Sequence, residues 1–134
     1  MYFKWKPEYS FDIKEIDDQH RYFVSILDKL YDSIVKKSPR QELGELLKAI
    51  IDYATNHFST EEKYFDKFNY EGAQEHKEKH RELKDKILDF QKKFNENGVD
   101  ISVDLIDFLE DWLVNHLLNL DRKYVDCFHE HGLH

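Results

Sequence analysis

A single cysteine, Cys127, leaves no partner for a disulfide within the chain, and the expected setting is a reducing one, the cytoplasm. Only two prolines and four glycines occur in 134 residues, too few for a sandwich or barrel built on tight turns. No stretch approaches the ~18 apolar residues of a membrane-spanning helix. Residues Met1 to Glu8 lack the apolar run and small-residue cleavage site of a secretory signal. Basic residues are also in deficit, with 20 Lys and Arg against 28 Asp and Glu, a net charge of -8. Nucleic-acid binders normally present a basic face, so neither nucleic acid nor membrane is an expected partner. What remains, 40% hydrophobic and 36% charged residues, suits one packed helical domain.

The hydrophobic pattern predicts an all-α protein, an up-down-up-down antiparallel four-helix bundle with an irregular N-terminal arm and a short C-terminal extension. Residues 1–17, with Trp5, Pro7, Tyr9 and Phe11, show no sustained helical period and form the arm. Helices are expected over 18–37, 39–68, 72–97 and 102–120, and the extension and tail over 121–134. Asp17 or Asp18 is the candidate cap of the first helix, and Pro39 suits the first turn of the second. Asn69 to Gly72 breaks the second helix. On the third, Ala73, His76, His80, Leu83, Ile87, Phe90 and Phe94 alternate spacings of three and four, the seam of a bundle helix. Asn97-Gly98 would cap its end, and Ser102 would cap the start of the fourth.

Five histidines and two carboxylates fall on these apolar stripes: His20 on the first helix, His57 and Glu61 on the second, His76 and His80 on the third, His116 and Asp121 on or just after the fourth. Residues four apart share a helical face, with Cβ atoms about 5–6 Å apart, which lets a pair grip one metal ion. A lone core histidine is ordinarily a hydrogen-bonded structural residue. Seven buried polar groups left unsatisfied would cost about 7–20 kcal/mol at about 1–3 each. That is as large as the whole stability of a domain, about 5–15 kcal/mol. Metal binding resolves the conflict. Seven ligands are too many for one zinc, and imidazole mixed with carboxylate suits iron, manganese or zinc in pairs. If both carboxylates bridge two six-coordinate ions and a small oxygen group is shared, one position stays open.

These residues resemble the hemerythrin family over nearly the whole chain. The family pattern is a histidine on the first helix, then His-x3-Glu, His-x3-His and His-x4-Asp. It is matched in order by His20, by His57 with Glu61, by His76 with His80 and by His116 with Asp121. The segment from Trp5 to Asp17-Asp18-Gln19-His20 is similar to the arm of bacterial single-domain members. The resemblance implies two iron ions with an oxo or hydroxo bridge. His76, His80 and His116 would hold one ion, His20 and His57 the other, with Glu61 and Asp121 bridging and dioxygen binding at the open position of the second. It also implies an apolar pocket wall at Trp112 and Leu113, with Phe23 a further candidate. For Trp112 and Leu113 ordinary core packing is expected as well.

Two departures stand out. Asp12 occupies a place where many bacterial relatives have glycine, which Asp tolerates because it can adopt left-handed backbone. His116 and Asp121, five apart, would lie about 140° around a regular helix, so irregular hydrogen bonding is expected near Leu117 to Leu120. His129, His131 and His134 are read as a solvated tail, and Cys127 has no partner motif. The leading functional reading is a monomeric, non-enzymatic dioxygen binder acting as carrier, store or delivery module. The competing ones are a di-iron oxidase, peroxidase or nitric oxide reductase, or a sensor working through a separate partner.

Overall fold

A computed structural model of the chain describes residues 3–96 and 100–134. Its long helices are α1 (Lys14–Val35), α2 (Arg40–Phe68), α3 (Ala73–Asn95) and α4 (Ser102–Asp111). The fourth continues without a break as a π-helical segment (Trp112–Leu120), a 3-10 turn (Asp121–Tyr124) and a final helix, α5 (Val125–Glu130). No strand occurs among the described residues, and the four rods run up-down-up-down as a bundle.

Several boundaries differ from the expectation, each for a physical reason. Helix α1 starts at Lys14 rather than residue 18, and its first residue follows Ile13, which makes no side-chain cap. Burial of Ile13 and Ile16 secures the extra turn. Asp17 is therefore not a cap. It lies in the first turn and reaches back to the arm, accepting the Phe11 N–H at 2.8 Å and the Ser10 hydroxyl at 2.5 Å. Within the arm, Pro7–Tyr9 makes one 3-10 turn. Asp12 has φ 56°, the left-handed backbone anticipated for it. Asn69 ends α2 with φ 51°, and its N–H bonds the Phe65 carbonyl. Ser102 is not a cap either; it is the first residue of α4, and its N–H and hydroxyl both donate to the Asp100 carboxylate. The expected cap at Asn97-Gly98 lies outside the described residues.

Two apolar clusters fill the bundle. The larger includes Phe23 and Leu27 of α1, Ile50 and Phe58 of α2, Ile87 and Phe90 of α3, Leu105 and Leu109 of α4, and Trp112, Leu113 and Leu117 of the π segment. The smaller is made by the arm, the start of α1, the end of α2 and the C-terminal extension: Phe11, Ile13, Ile16, Phe65, Phe68, Tyr124 and Phe128. Its members explain why the chain carries an arm and an extension at all, since each covers the other. Arg122 strengthens the closure, its guanidinium lying 4.9 Å from the Phe11 ring centroid and donating to the Glu8 carbonyl at 2.8 Å.

The tail is not simply solvated. Leu133 packs against the smaller cluster, the His131 ring stacks on Phe68 at 4.6 Å, and His129 and His134 stack on each other at 4.8 Å. Among the described residues no helix is long and apolar enough to cross a membrane.

Candidate metal centre

Where the two clusters meet, three of the rods pass from one cluster to the other within seven residues, about two turns. His20 stands between Ile16 of the small cluster and Phe23 of the large one; Glu61 stands between Phe65 and Phe58; Asp121 stands between Tyr124 and Leu117. The apolar repeat that packs the helices thus carries a polar residue to one shared level. All seven expected side chains are there and all are buried, from fully (His57, Glu61, Asp121) to 5% exposed (His116).

Their ligating atoms converge. Asp121 Oδ1 lies 2.8 Å from His76 Nε2 and 3.0 Å from His116 Nε2. Asp121 Oδ2 lies 3.2 Å from His20 Nε2 and 3.3 Å from His57 Nε2. Glu61 Oε1 lies 3.0 Å from His80 Nε2, 3.3 Å from His57 Nε2 and 3.7 Å from His76 Nε2. One ligand atom from each of Glu61, His76, His80, His116 and Asp121 falls within 4.8 Å of all the others, and His20, His57 and Asp121 form a second such group. Asp121 belongs to both.

The donor set fits metal ions. Glu61 Oε2, His76 Nε2, His116 Nε2 and Asp121 Oδ1 are buried without a hydrogen-bond partner among the described residues, even where nitrogen and oxygen approach closely. Such orphaned atoms are costly in a core and rare. Electrostatics points the same way. Burial, the largest single effect, pushes Glu61 up, as does Asp121, yet His57, His76 and His80 together hold it down at about 2. Asp121 is likewise held well below the usual carboxylate range, its burial outweighed by His116, His20 and His57. Burial lowers His57, whereas Asp121 and Glu61 overcome the burial of His76 and raise it to about 9. Both buried carboxylates are thus held toward the charged form that a metal ligand needs.

Several neighbours were not singled out by sequence. His57 Nδ1 bonds the Gln19 carbonyl oxygen at 2.6 Å, and His80 Nδ1 bonds the Glu62 carboxylate at 2.8 Å. Gln19 precedes His20 and Glu62 follows Glu61, but nothing in local spacing says which ring each would reach across the bundle. Tyr53 stacks on His57 at 5.2 Å; it sits four residues before His57, a spacing that could have revealed it. Phe58 stacks on His80 at 4.0 Å. The expected wall residues also meet: Phe23 and Trp112 are 5.3 Å apart, Trp112 is 5.7 Å from Phe58, and Trp112, Leu113 and Phe23 are all buried. From the surface, a groove of about 660 Å³ between α1 and α2 runs down to Gln19, Tyr53 and His57.

Comparison with known proteins agrees with this arrangement. The family model described as Hemerythrin HHE cation binding domain matches residues 12–128. A bacteriohemerythrin of Methylococcus capsulatus is 35% identical over 120 residues, covering 90% of this chain and 91% of its own. Another, from Clostridium acetobutylicum, is 30% identical, covering 92% of this chain and 99% of its own. A wild-type hemerythrin crystal structure superposes with a TM-score of 0.86 at 34% identity, over 95% of this chain and 98% of that one. With its four-helix bundle and a buried His/Glu/Asp layer at the level where two apolar clusters meet, this chain belongs to the hemerythrin family.

Proposed function

We propose that the chain is a non-heme di-iron protein that binds dioxygen reversibly, as a carrier, store or delivery module rather than an enzyme. The observation that carries this reading is the polar layer itself: five imidazoles and two charged carboxylates, several with orphaned atoms, enclosed by aromatic and aliphatic walls. His76, His80 and His116 would serve one iron, His20 and His57 the other, and Glu61 and Asp121 would bridge. Iron, when bound, supplies the electrons and the open coordination position that dioxygen requires.

The chain's own contribution is selection and protection. Trp112, Leu113 and Phe23 would wall the pocket, admitting a small neutral molecule while keeping out the water and protons that would release it in reduced form. Imidazoles outnumber carboxylates five to two, unlike the carboxylate-rich sites of ferritin-like di-iron enzymes. The charge balance and lack of a basic surplus favour a small-molecule ligand over nucleic acid, and we read the working unit as a monomer in the cytoplasm.

The test is direct. Iron per chain is measured, the protein is reduced without air, dioxygen is added and removed, and the visible charge-transfer band is followed. Two irons and a band that comes and goes support the carrier. Rapid, lasting conversion to a ferric form with reductant consumed would instead mark an oxidase, peroxidase, nitric oxide reductase or sensor.

A further inference from the structure

The two rings held by outer partners are held by groups of different charge. His80 Nδ1 faces the Glu62 carboxylate at 2.8 Å, whereas His57 Nδ1 faces the neutral Gln19 side chain at 2.6 Å. We propose that Gln19 is a positioning residue: it commits His57 to the form protonated on Nδ1, and its lack of charge makes the His20–His57 ion less electron-rich than the ion served by His80. This rests on the two-iron reading above.

A short chain of hydrogen bonds settles which end of Gln19 meets His57. The single hydroxyl proton of Thr60 is donated to the Asn56 carbonyl at 2.9 Å, one turn back on α2. Thr60 Oγ1 can then only accept from Gln19, and the Gln19 side-chain nitrogen donates to it at 2.9 Å. That turns the Gln19 carbonyl oxygen toward His57. A carbonyl cannot donate, so His57 Nδ1 must carry a proton, and Nε2, 3.3 Å from a carboxylate oxygen of Glu61 and of Asp121, is the nitrogen left for a metal ion to take. Gln19 also sits next to His20 in the chain, so one α1 residue is tied to both rings of the same group.

The difference in charge has a chemical consequence. A carboxylate accepting from an imidazole N–H draws the proton toward itself and raises the basicity of the other nitrogen; an amide does so far less. Glu62 is partly solvated, with 36% of its side chain exposed, so its pull is moderated but keeps its sign. An ion held by His20 and His57, with the neutral Gln19 behind it, would have its lower oxidation state favoured relative to an ion held by His80.

The full chain tests this in two ways. Without metal, ¹⁵N NMR of labelled histidine should find the His57 proton on Nδ1, and T60V, which frees the amide to rotate, should move part of it to Nε2. A bare Nδ1 in the wild type overturns the assignment. With ferrous ion loaded without air against a competing chelator, Q19A should weaken one of the two ions by roughly 10–100-fold. Q19E, which can still accept from Nδ1, should restore most of that affinity and lower one reduction potential, while E62Q should raise one. A merely structural Gln19 would leave the potentials unmoved, and unmoved potentials in Q19E, or wild-type affinity in Q19A, overturn the proposal. Because Q19E keeps the shape of the side chain, it remains informative if Q19A fails to fold. A wild type that holds fewer than two ferrous ions overturns the two-iron reading and this inference together, whereas the NMR result bears on Gln19 alone.

Discussion

His116 Nε2 lies 3.0 Å from Asp121 Oδ1 although the two stand five positions apart. In a regular helix that separation would turn the two side chains about 140° apart. Here Trp112–Leu120 is wound as a π-helix, and the Asp121 N–H bonds back to the His116 carbonyl. Reaching to the fifth residue instead of the fourth widens the turn and brings residues five apart onto one face. Irregularity was expected only near Leu117 to Leu120; it begins at Trp112, so the same widened stretch presents Trp112 and Leu113 as well as His116.

If Glu61 and Asp121 each serve both ions, neither can be replaced without losing the pair. Glu61→Gln and Asp121→Asn keep the side-chain shape and remove the charge. Both variants should fall from two irons per chain to one or none, read by metal analysis on protein of unchanged helicity. Retention of two irons and reversible binding in either variant would falsify the bridging role.

Wall and packing roles can be separated at Trp112 and Leu113. Trp112→Ala should cost about 3–5 kcal/mol in a urea melt, because it empties a fully buried site. Leu113→Ala should cost about 2 kcal/mol, the low end for such changes, because Leu113 keeps 7% exposure. Both should shorten the lifetime of the dioxygen complex through water entry. Equal lifetimes in wild type and Leu113→Ala would reduce that residue to packing.

Metal uptake should strengthen as pH rises toward about 9. Without metal, Asp121 and Glu61 outweigh burial and hold His76 at about 9, so near neutrality its ring carries a proton that a metal ligand must release. The binding constant should climb by up to about one decade per pH unit for that proton and level off above about 9. The metal-free fold has its own pH dependence. His76, raised from 6.5, contributes fully below that value and loses its contribution as pH rises through about 9. Glu61, lowered from 4.5, contributes above that value and loses it as pH falls toward about 2. Urea melts of chelator-treated protein across this range should show a stability maximum between the two limits; a flat profile would contradict the charge assignment.

The arm should come loose when Asp17 is lost. Asp17→Ala removes the acceptor of the Phe11 N–H and the Ser10 hydroxyl, which should cost about 1–3 kcal/mol. Phe11, edge-on to the His20 ring at 5.0 Å, would lose its anchor. Limited proteolysis should then cut the arm before the bundle, and an arm as resistant as the wild type's would show that the Asp17 bonds do not hold it.

Sequence spacing by itself determined the helices and the level of the site. Residues three and four apart must share a face, so the apolar seams and His57 with Glu61, or His76 with His80, could be read directly, as could the need for a cation among so many buried polar groups. What it could not determine depends on contacts between residues far apart in the chain. Asp17 looked like a helix cap because local pattern does not reveal that Ile13 and Ile16 extend the helix by packing against Phe65, Phe68 and Phe128. Gln19 and Glu62 carry no spacing that points to His57 and His80; packing of the bundle brings them there. Tertiary structure also decided the winding between Trp112 and Leu120: backbone hydrogen bonds there shift from the fourth to the fifth residue, where His116 and Asp121 must face the same charged layer while Leu117 and Tyr124 stay in their two apolar clusters.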